Sequence, residues 1–264
     1  MQSDIETKAY NIYLEQMITA NEGFWRDAPL FAEPGKVIRI QEDFTAALFS
    51  SIGDGGVWGD RRTPETSPAN AIAASKLGGG MSIKTTALDG GETYIFSRGS
   101  IVQFKDLVPV WFETVLNVQS DLSLASIAAG VTDGGTAVGT AVPPDFLATD
   151  GGTVLGDHDG ALFHINEAST GQVQFHVSNE AVQANSNLGT TTATTDFRVG
   201  FKWDGEGTLT PWMNGRPYAT ASFTPASSLM DIVFCAIAHH GTTAHLEVSE
   251  LNVIIDRRND PTLV

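Results

Sequence analysis

The sequence predicts an all-β fold of two antiparallel sheets packed face to face, preceded by a short N-terminal helix. The first observation is the segment DFRVGFKWDGEGTLTPWMN, from Asp196 to Asn214. Phe197, Val199, Phe201 and Trp203 alternate there with Arg198, Gly200 and Lys202. A turn of Asp204-Gly205-Glu206-Gly207 follows, and then Leu209, Pro211 and Met213 alternate with Thr208, Thr210 and Trp212. A period of two sends alternate side chains to opposite faces, so this is a hairpin with one buried side. The second observation is that strand-like runs and turn signals continue from residue 81 with no helical pattern between them, which indicates a sandwich. The third is a hydrophobic content of 42% in 264 residues, enough for one large β core.

Taken in order, residues 1–20 differ from the rest. Ser3 and Glu6 make a capping box, and Ile5, Ala9, Ile12, Tyr13 and Met17 recur at helical spacing. The spacing predicts a helix over about 4–20 that ends at Asn21-Glu22-Gly23 and packs on its own domain or on a neighbour. Residues 24–80 are irregular, with one strand expected over Val37 to Ile40 and glycine clusters at 53–56 and 78–80. The chain thus divides into an anchoring region, 1–80, and a β body, 81–264. Strands are expected near 82–87, 93–98, 101–104, 109–118, 122–131, 161–166, 172–178, 196–203, 208–214, 217–223, 229–238 and 244–255. Asp89-Gly90-Gly91, Asp204-Gly205 and Asn214-Gly215 are tight turns, and 167–171 is a five-residue hairpin loop. A long loop fills 132–160. In the last strand the apolar face changes parity near Ser249-Glu250, so a one-residue bulge is expected there. Gly200 in mid-strand implies the close approach of an aromatic ring, for which Trp203 and Trp212 are the candidates.

The net charge is −16, with 31 acidic against 15 basic residues, and the basic pairs Arg61-Arg62 and Arg257-Arg258 stand in loop-like or terminal sequence. That excludes nucleic acid as the expected partner, since phosphate binding needs clustered cations. Charged residues are only 17% of the chain, which favours a surface that packs against neighbours. No apolar run approaches the ~20 residues that span a membrane, and the N-terminus has no charged-then-apolar signal pattern. The single cysteine, Cys235, lies in IVFCAIA and reads as core.

The runs VPVWFETVLNV (108–118), DGALFHINEASTGQVQFHVSN (159–179), FRVGFKWDGEGTLTPWMNGRPY (197–218) and HLEVSELNVIID (245–256) carry a family pattern. Their order and composition resemble the concanavalin A-like jelly-roll domains of tailed-bacteriophage virion proteins, over roughly residues 81–256. The resemblance implies a structural virion protein, a capsid decoration or cement protein on the outside of the head. It implies the major capsid protein as partner, a homo-oligomer (a trimer), and no enzyme activity. The alternatives are a carbohydrate-binding head- or tail-fibre module and, more remotely, a glycoside hydrolase.

No catalytic set is visible. A glycosidase of this architecture needs two carboxylates on one strand face, and Glu247 and Glu250 share one only if the bulge realigns them. Asp150, Asp157 and Asp159 could offer calcium oxygens, but acidic glycine-rich loops are ordinarily just turns. His239, His240 and His245 lack the further ligand a zinc site requires, so no cofactor or metal is expected. Aromatic and arginine residues dominate protein interfaces. The expected partner contacts are therefore Ile5, Ile12, Tyr13, Met17, Trp25, Arg26, Trp58, Arg61 and Arg62, with Trp25 and Trp58 on the surface. Trp212 is the glycan contact of the alternative reading.

Overall fold

The computed structural model describes residues 24–25, 28–29, 36–42, 44, 49–50, 58–63, 71–72, 80–97, 101–133, 159–179, 182–225 and 229–263. The expected helix over 4–20, with Ile5, Ile12, Tyr13 and Met17, lies outside the described residues, as do Arg26, Asp150, Asp157 and most of the 132–160 loop.

The strands, in chain order, are β1 (Val37–Glu42), β2 (Phe49–Ser50), β3 (Trp58–Thr63), β4 (Ala71–Ile72), β5 (Met81–Lys84), β6 (Glu92–Ser97), β7 (Val102–Gln103), β8 (Val110–Val118) and β9 (Ala125–Thr132). They continue as β10 (Gly160–Ile165), β11 (Gln172–Asn179), β12 (Val182–Thr190), β13 (Asp196–Trp203), β14 (Thr208–Met213), β15 (Arg216–Pro217), β16 (Ala221–Ser222), β17 (Leu229–Ala238) and β18 (His245–Asp256). The first sheet runs β15-β14-β13-β8-β18-β5-β4, with β1 on β18 and β16 on β14. The second runs β12-β11-β10-β9-β17-β6-β3-β2, with β7 on β17. Only the short β2–β3 pair is parallel among the described strands.

The hairpin falls where its alternation puts it. Val199 pairs with Met213, Phe201 with Pro211 and Trp203 with Leu209, all buried on the inner side. Phe201 stacks on Phe112 at 5.2 Å and 11°, and Phe163, Phe175 and Phe234 of the second sheet complete the shared core. Each such side chain contributes roughly 1.5–3 kcal/mol on burial, which is why the inner pattern sets the register. The turns adopt the left-handed backbone their sequences demand, with φ of 49° at Asn214 and 77° at Gly215. The register of β18 on β8 shifts between Val248 and Glu250, the expected bulge.

Four expectations are corrected. Strands from before residue 81 belong to the sandwich: β1 pairs with β18, and β3 pairs with β6. The boundary at 80 therefore does not separate an arm from the sheets. The strand expected over 122–131 begins at Ala125, after a turn. That expected over 217–223 is two short pieces, β15 and β16. Finally, β12 was not foreseen, because among the described side chains of VQANSNLGT Leu188 alone is buried to mark an inner side.

Candidate functional site

The inner faces of both sheets are filled by core, so any site on the sheets must use their outer faces. On the second sheet the register aligns two polar rows. Asn187 pairs with Gln174 and Gln174 with His164; Asn185 pairs with His176 and His176 with Leu162. Asn185 and Asn187 are exposed and Gln174 is half-buried, while His176 and His164 are 8% and 0% exposed. The face thus descends from an open amide edge to two sunken imidazoles. His176 Nε2 lies 3.1 Å from Gln174 Oε1, and an acceptor at that place assigns the proton to Nε2. The two imidazole rings meet edge to face at 5.3 Å. Among the described residues neither ring nitrogen of His164 has a hydrogen-bond partner.

Burial pushes the His164 imidazole down to about 3, with His176 adding to the effect, and burial pushes His176 down to about 4. Both rings are therefore neutral at pH 7, each with one donor and one acceptor. Beyond Leu162 the face turns apolar, with Ala128, Val233, Cys235, Ile237, Tyr94 and Phe96 all buried.

The outer face of the first sheet is built differently. Phe24, Trp25 and Ala28 lie across it with Val37, Trp111 and Ile254 as a second apolar cluster, and Trp212 packs at its margin. Phe24 meets Trp25 at 4.8 Å and Trp212 at 5.6 Å, both edge to face. Under this strap Arg198 donates from Nη1 to Glu113 (2.7 Å) and from Nη2 to Glu250 (3.1 Å), and Trp25 Nε1 donates to Glu113 (3.3 Å). Burial raises the Glu113 carboxyl above the ordinary range, and Arg198 opposes that shift. The bulge does bring Glu247 and Glu250 to one side, opposite Asn117 and Val115. Glu250 is engaged by Arg198, however, and Glu247 accepts from Gln119 at 3.1 Å.

At one end of the sandwich a hollow of about 150 Å³ is lined by Phe104, Trp203 and Phe223, with Lys105, Asp106 and Glu206 at its rim. That is below the roughly 300 Å³ at which ligand pockets begin.

The surface positions expected for Trp25 and Trp58 are corrected: they are 4% and 2% exposed. Trp25 belongs to the strap, while Trp58 packs in the core against Phe44 and Phe234. Arg61 and Arg62 lie on β3, in register with Tyr94 and Thr93, within the sheet and not in a loop. Trp212 is half-buried beside Phe24. Asp159 is buried next to β10, and its backbone N–H donates to Asp133. His245 bonds Ser82 at 2.8 Å. The ring nearest Gly200 is Phe24, approaching from the outer side, in place of the Trp203 or Trp212 expected. The amide and imidazole rows were missed by sequence reasoning. Their trace was present, since His164 and His176 each follow a core phenylalanine and so face the opposite side.

No protein-family profile matches the sequence, and no curated protein matches it either. Solved structures do. Peanut lectin in complex with a nine-residue peptide aligns with a TM-score of 0.56 at 9% identity, covering 83% of this chain and 97% of the lectin. A mixed-linkage glucan GH16 protein from Bacteroides ovatus, bound to its product, gives 0.52 at 11%, covering 81% and 99%. The carbohydrate recognition domain of Emp46p, in its potassium-bound form, gives 0.51 at 9%, covering 75% and 88%. At such identities the likeness is one of fold: the similar structures are lectin and glucanase jelly rolls, and this chain shares their two-sheet antiparallel jelly-roll architecture.

Proposed function

We propose that this protein is a non-catalytic carbohydrate-binding module, with the β11–β12 side of the second sheet as its contact surface. The observation that carries the reading is the exposed amide edge of Asn185 and Asn187 with half-buried Gln174 beside it, backed by the buried His176 and His164. Amides both donate and accept, which is what a sugar hydroxyl requires, and neither they nor the neutral imidazoles beneath them carry charge at pH 7. The surrounding acidic chain, at −16, disfavours anionic polysaccharides, so neutral glycans are the class to examine. Fold alone does not assign function, and two of the similar structures serve different chemistry on one architecture.

A glycan array probed with the intact chain, followed by titration calorimetry on its hits, tests the reading. Binding to a neutral glycan that is lost in Asn185→Ala/Asn187→Ala supports it. Binding that survives in that variant and is lost in Trp212→Ala would move the site to the first sheet. Hydrolysis of a bound glycan would replace a binding module with an enzyme.

A second reading is favoured by the sequence pattern of residues 108–118, 159–179, 197–218 and 245–256, which resembles virion jelly rolls. It places the module on a capsid surface, as a homo-oligomer (a trimer in the sequence reading) contacting the major capsid protein. Density for the chain on a reconstructed virion decides that point, and its absence from purified particles removes it. Decoration at full occupancy by a chain lacking residues 1–22 would remove the N-terminal arm from the anchoring role.

A further inference from the structure

β12 ends the second sheet, paired on one side with β11 and open on the other among the described residues. An open strand edge is a row of unpaired N–H and C=O groups, and proteins ordinarily guard it with short strands, charge or proline. The other edges among the described strands are guarded in those ways. β2, β4, β7, β15 and β16 are each two residues long. Pro211 fills the gap on β14 between its pairings with β15 and β16. β3 carries Asp60, Arg61 and Arg62 beyond its short pair with β2. β5 carries Lys84 beyond its pair with β4, and β1 carries Arg39 and Glu42.

β12 has none of these guards. It runs for nine residues, VQANSNLGT, with no charged side chain and no proline. Ala184, Asn185 and Asn187 are exposed and Ser186 is half-buried. The one register shift against β11 falls at Leu188, so 182–187 is regular strand. Among the described residues, β12 makes no backbone hydrogen bond except those to β11. We propose that this edge is a self-association surface, on which β12 of two copies pair antiparallel about a twofold axis and join the two second sheets into one.

Charge argues for a second copy as the occupant. Each chain carries −16, so two copies repel wherever their acidic surfaces meet, and the uncharged β12 edge is where they can approach. Pairing a strand with itself is isologous, so each contact is made twice. Residues directly opposite in an antiparallel pair share a face, which sets the axis perpendicular to the sheet and keeps both outer faces on one side. An axis through Ala184 or Asn185 uses the regular stretch, and it puts the two copies of Ala184 opposite or diagonal to one another. Ala184 pairs with the core residue Val177 and so lies on the inner side, away from the amide edge. On the carbohydrate reading, the Asn185 and Asn187 edges of the two copies would then adjoin and make one longer surface; that consequence alone rests on that reading.

Sedimentation velocity on the intact chain, over a range of concentrations at moderate salt, tests the proposal. The expected result is a concentration-dependent species of about twice the 28.1 kDa of one chain. Ala184→Lys and Ala184→Asp should each weaken it by more than about tenfold, because each sets like charges together across the axis. Their thermal unfolding as monomers should match the native chain, since Ala184 is exposed. Mixing the two variants should restore a dimer containing one of each, which a folding defect would not do. Asn185→Ala/Asn187→Ala should still dimerise, because the pairing is made by backbone. Dimers that bind no glycan would remove the carbohydrate reading and leave this one standing, whereas glycan binding by a chain that never dimerises would do the reverse. A monomer at every concentration, or a dimer that both Ala184 variants leave intact, overturns the proposal.

Discussion

The Phe24 ring lies on Gly200: a Cβ built at the glycine would stand 2.9 Å from Phe24 Cζ and 2.6 Å from the Phe112 carbonyl oxygen. One residue from the irregular N-terminal sequence thus sets the side-chain size permitted in mid-strand on β13. Gly200→Ala is therefore expected to destabilise the fold by about 1–3 kcal/mol, the usual cost of overpacking. Phe24→Leu in the same chain should recover only part of that, because the Phe112 carbonyl is backbone and cannot step aside. Chemical denaturation of the native chain and these two variants measures both effects. Full recovery in the double variant would mean that the ring alone sets the limit.

The same strap closes over Glu113, which is 4% exposed and held by Arg198 and Trp25. Arg198→Met removes the cation and leaves a buried carboxylate without its ion pair. The expected loss is about 2–4 kcal/mol at pH 7, somewhat below that for a fully buried pair because the Arg198 side chain is 30% exposed. The pH response has a definite sign. Glu113 has a folded-state pKa above its unfolded value of 4.5, so the folded form binds its proton more tightly. Measured against the native chain at each pH, Arg198→Met should therefore regain stability as pH falls towards that range, and Arg198→Met/Glu113→Gln should lose this dependence. Unfolding curves for both variants between pH 7 and 5 would show it.

What the sequence could show depended on how much of each element's job was local. The β13–β14 hairpin was legible because alternation, turn residues and burial all point one way, and each is written within Asp196–Asn214. The bulge in β18 was legible because a change of parity in an apolar face has one cheap solution. Trp25 and Trp58 were misplaced because their partners, Glu113 and Phe44 with Phe234, are fixed only by the fold. β12 was invisible for a related reason: an edge strand with one open side needs few apolar residues, and among its described side chains only Leu188 enters the core. Its exposed Asn185 and Asn187, the open edge of the proposed glycan surface, disappeared with it. Glu167 and His239 are likewise brought together only when β10 and β17 join the same sheet through β9.

That proposed surface is separable from the fold. Asn185 and Asn187 are exposed on an edge strand, so Asn185→Ala/Asn187→Ala should change the unfolding midpoint little, within the roughly 0.5 kcal/mol typical of surface sites. It should nevertheless abolish binding to the best array ligand, since hydroxyl recognition loses two amides at once. Trp212→Ala is expected to behave in the opposite way. Trp212 packs on Phe24, so its removal should lower stability and leave glycan affinity within about twofold, well under the 1.4 kcal/mol of a tenfold change. Thermal unfolding and calorimetry on the same preparations separate the two outcomes.

The buried imidazoles give the fold an acid limit. His164 and His176 have folded-state values of about 3 and about 4, against 6.5 for an exposed ring. Because the folded values are depressed, the unfolded chain takes up protons first as pH falls below 6.5. Their contribution is complete above that pH and is lost progressively down to about 4 and then about 3. The slope is at most about 1.4 kcal/mol per pH unit for each ring, so a drop from pH 7 to 5 should cost several kcal/mol from the pair. His245, whose value burial also lowers, adds a smaller share because it is half-buried. His164→Phe keeps the edge-to-face contact with His176 and removes one titrating group, so it should flatten the pH 5–7 slope markedly. Urea unfolding at half-unit pH intervals measures that slope directly. A slope unchanged by His164→Phe would mean that His164 is already protonated in the fold, or that water reaches it, and the neutral hydrogen-bonding face argued for the second sheet would then lose its deepest member.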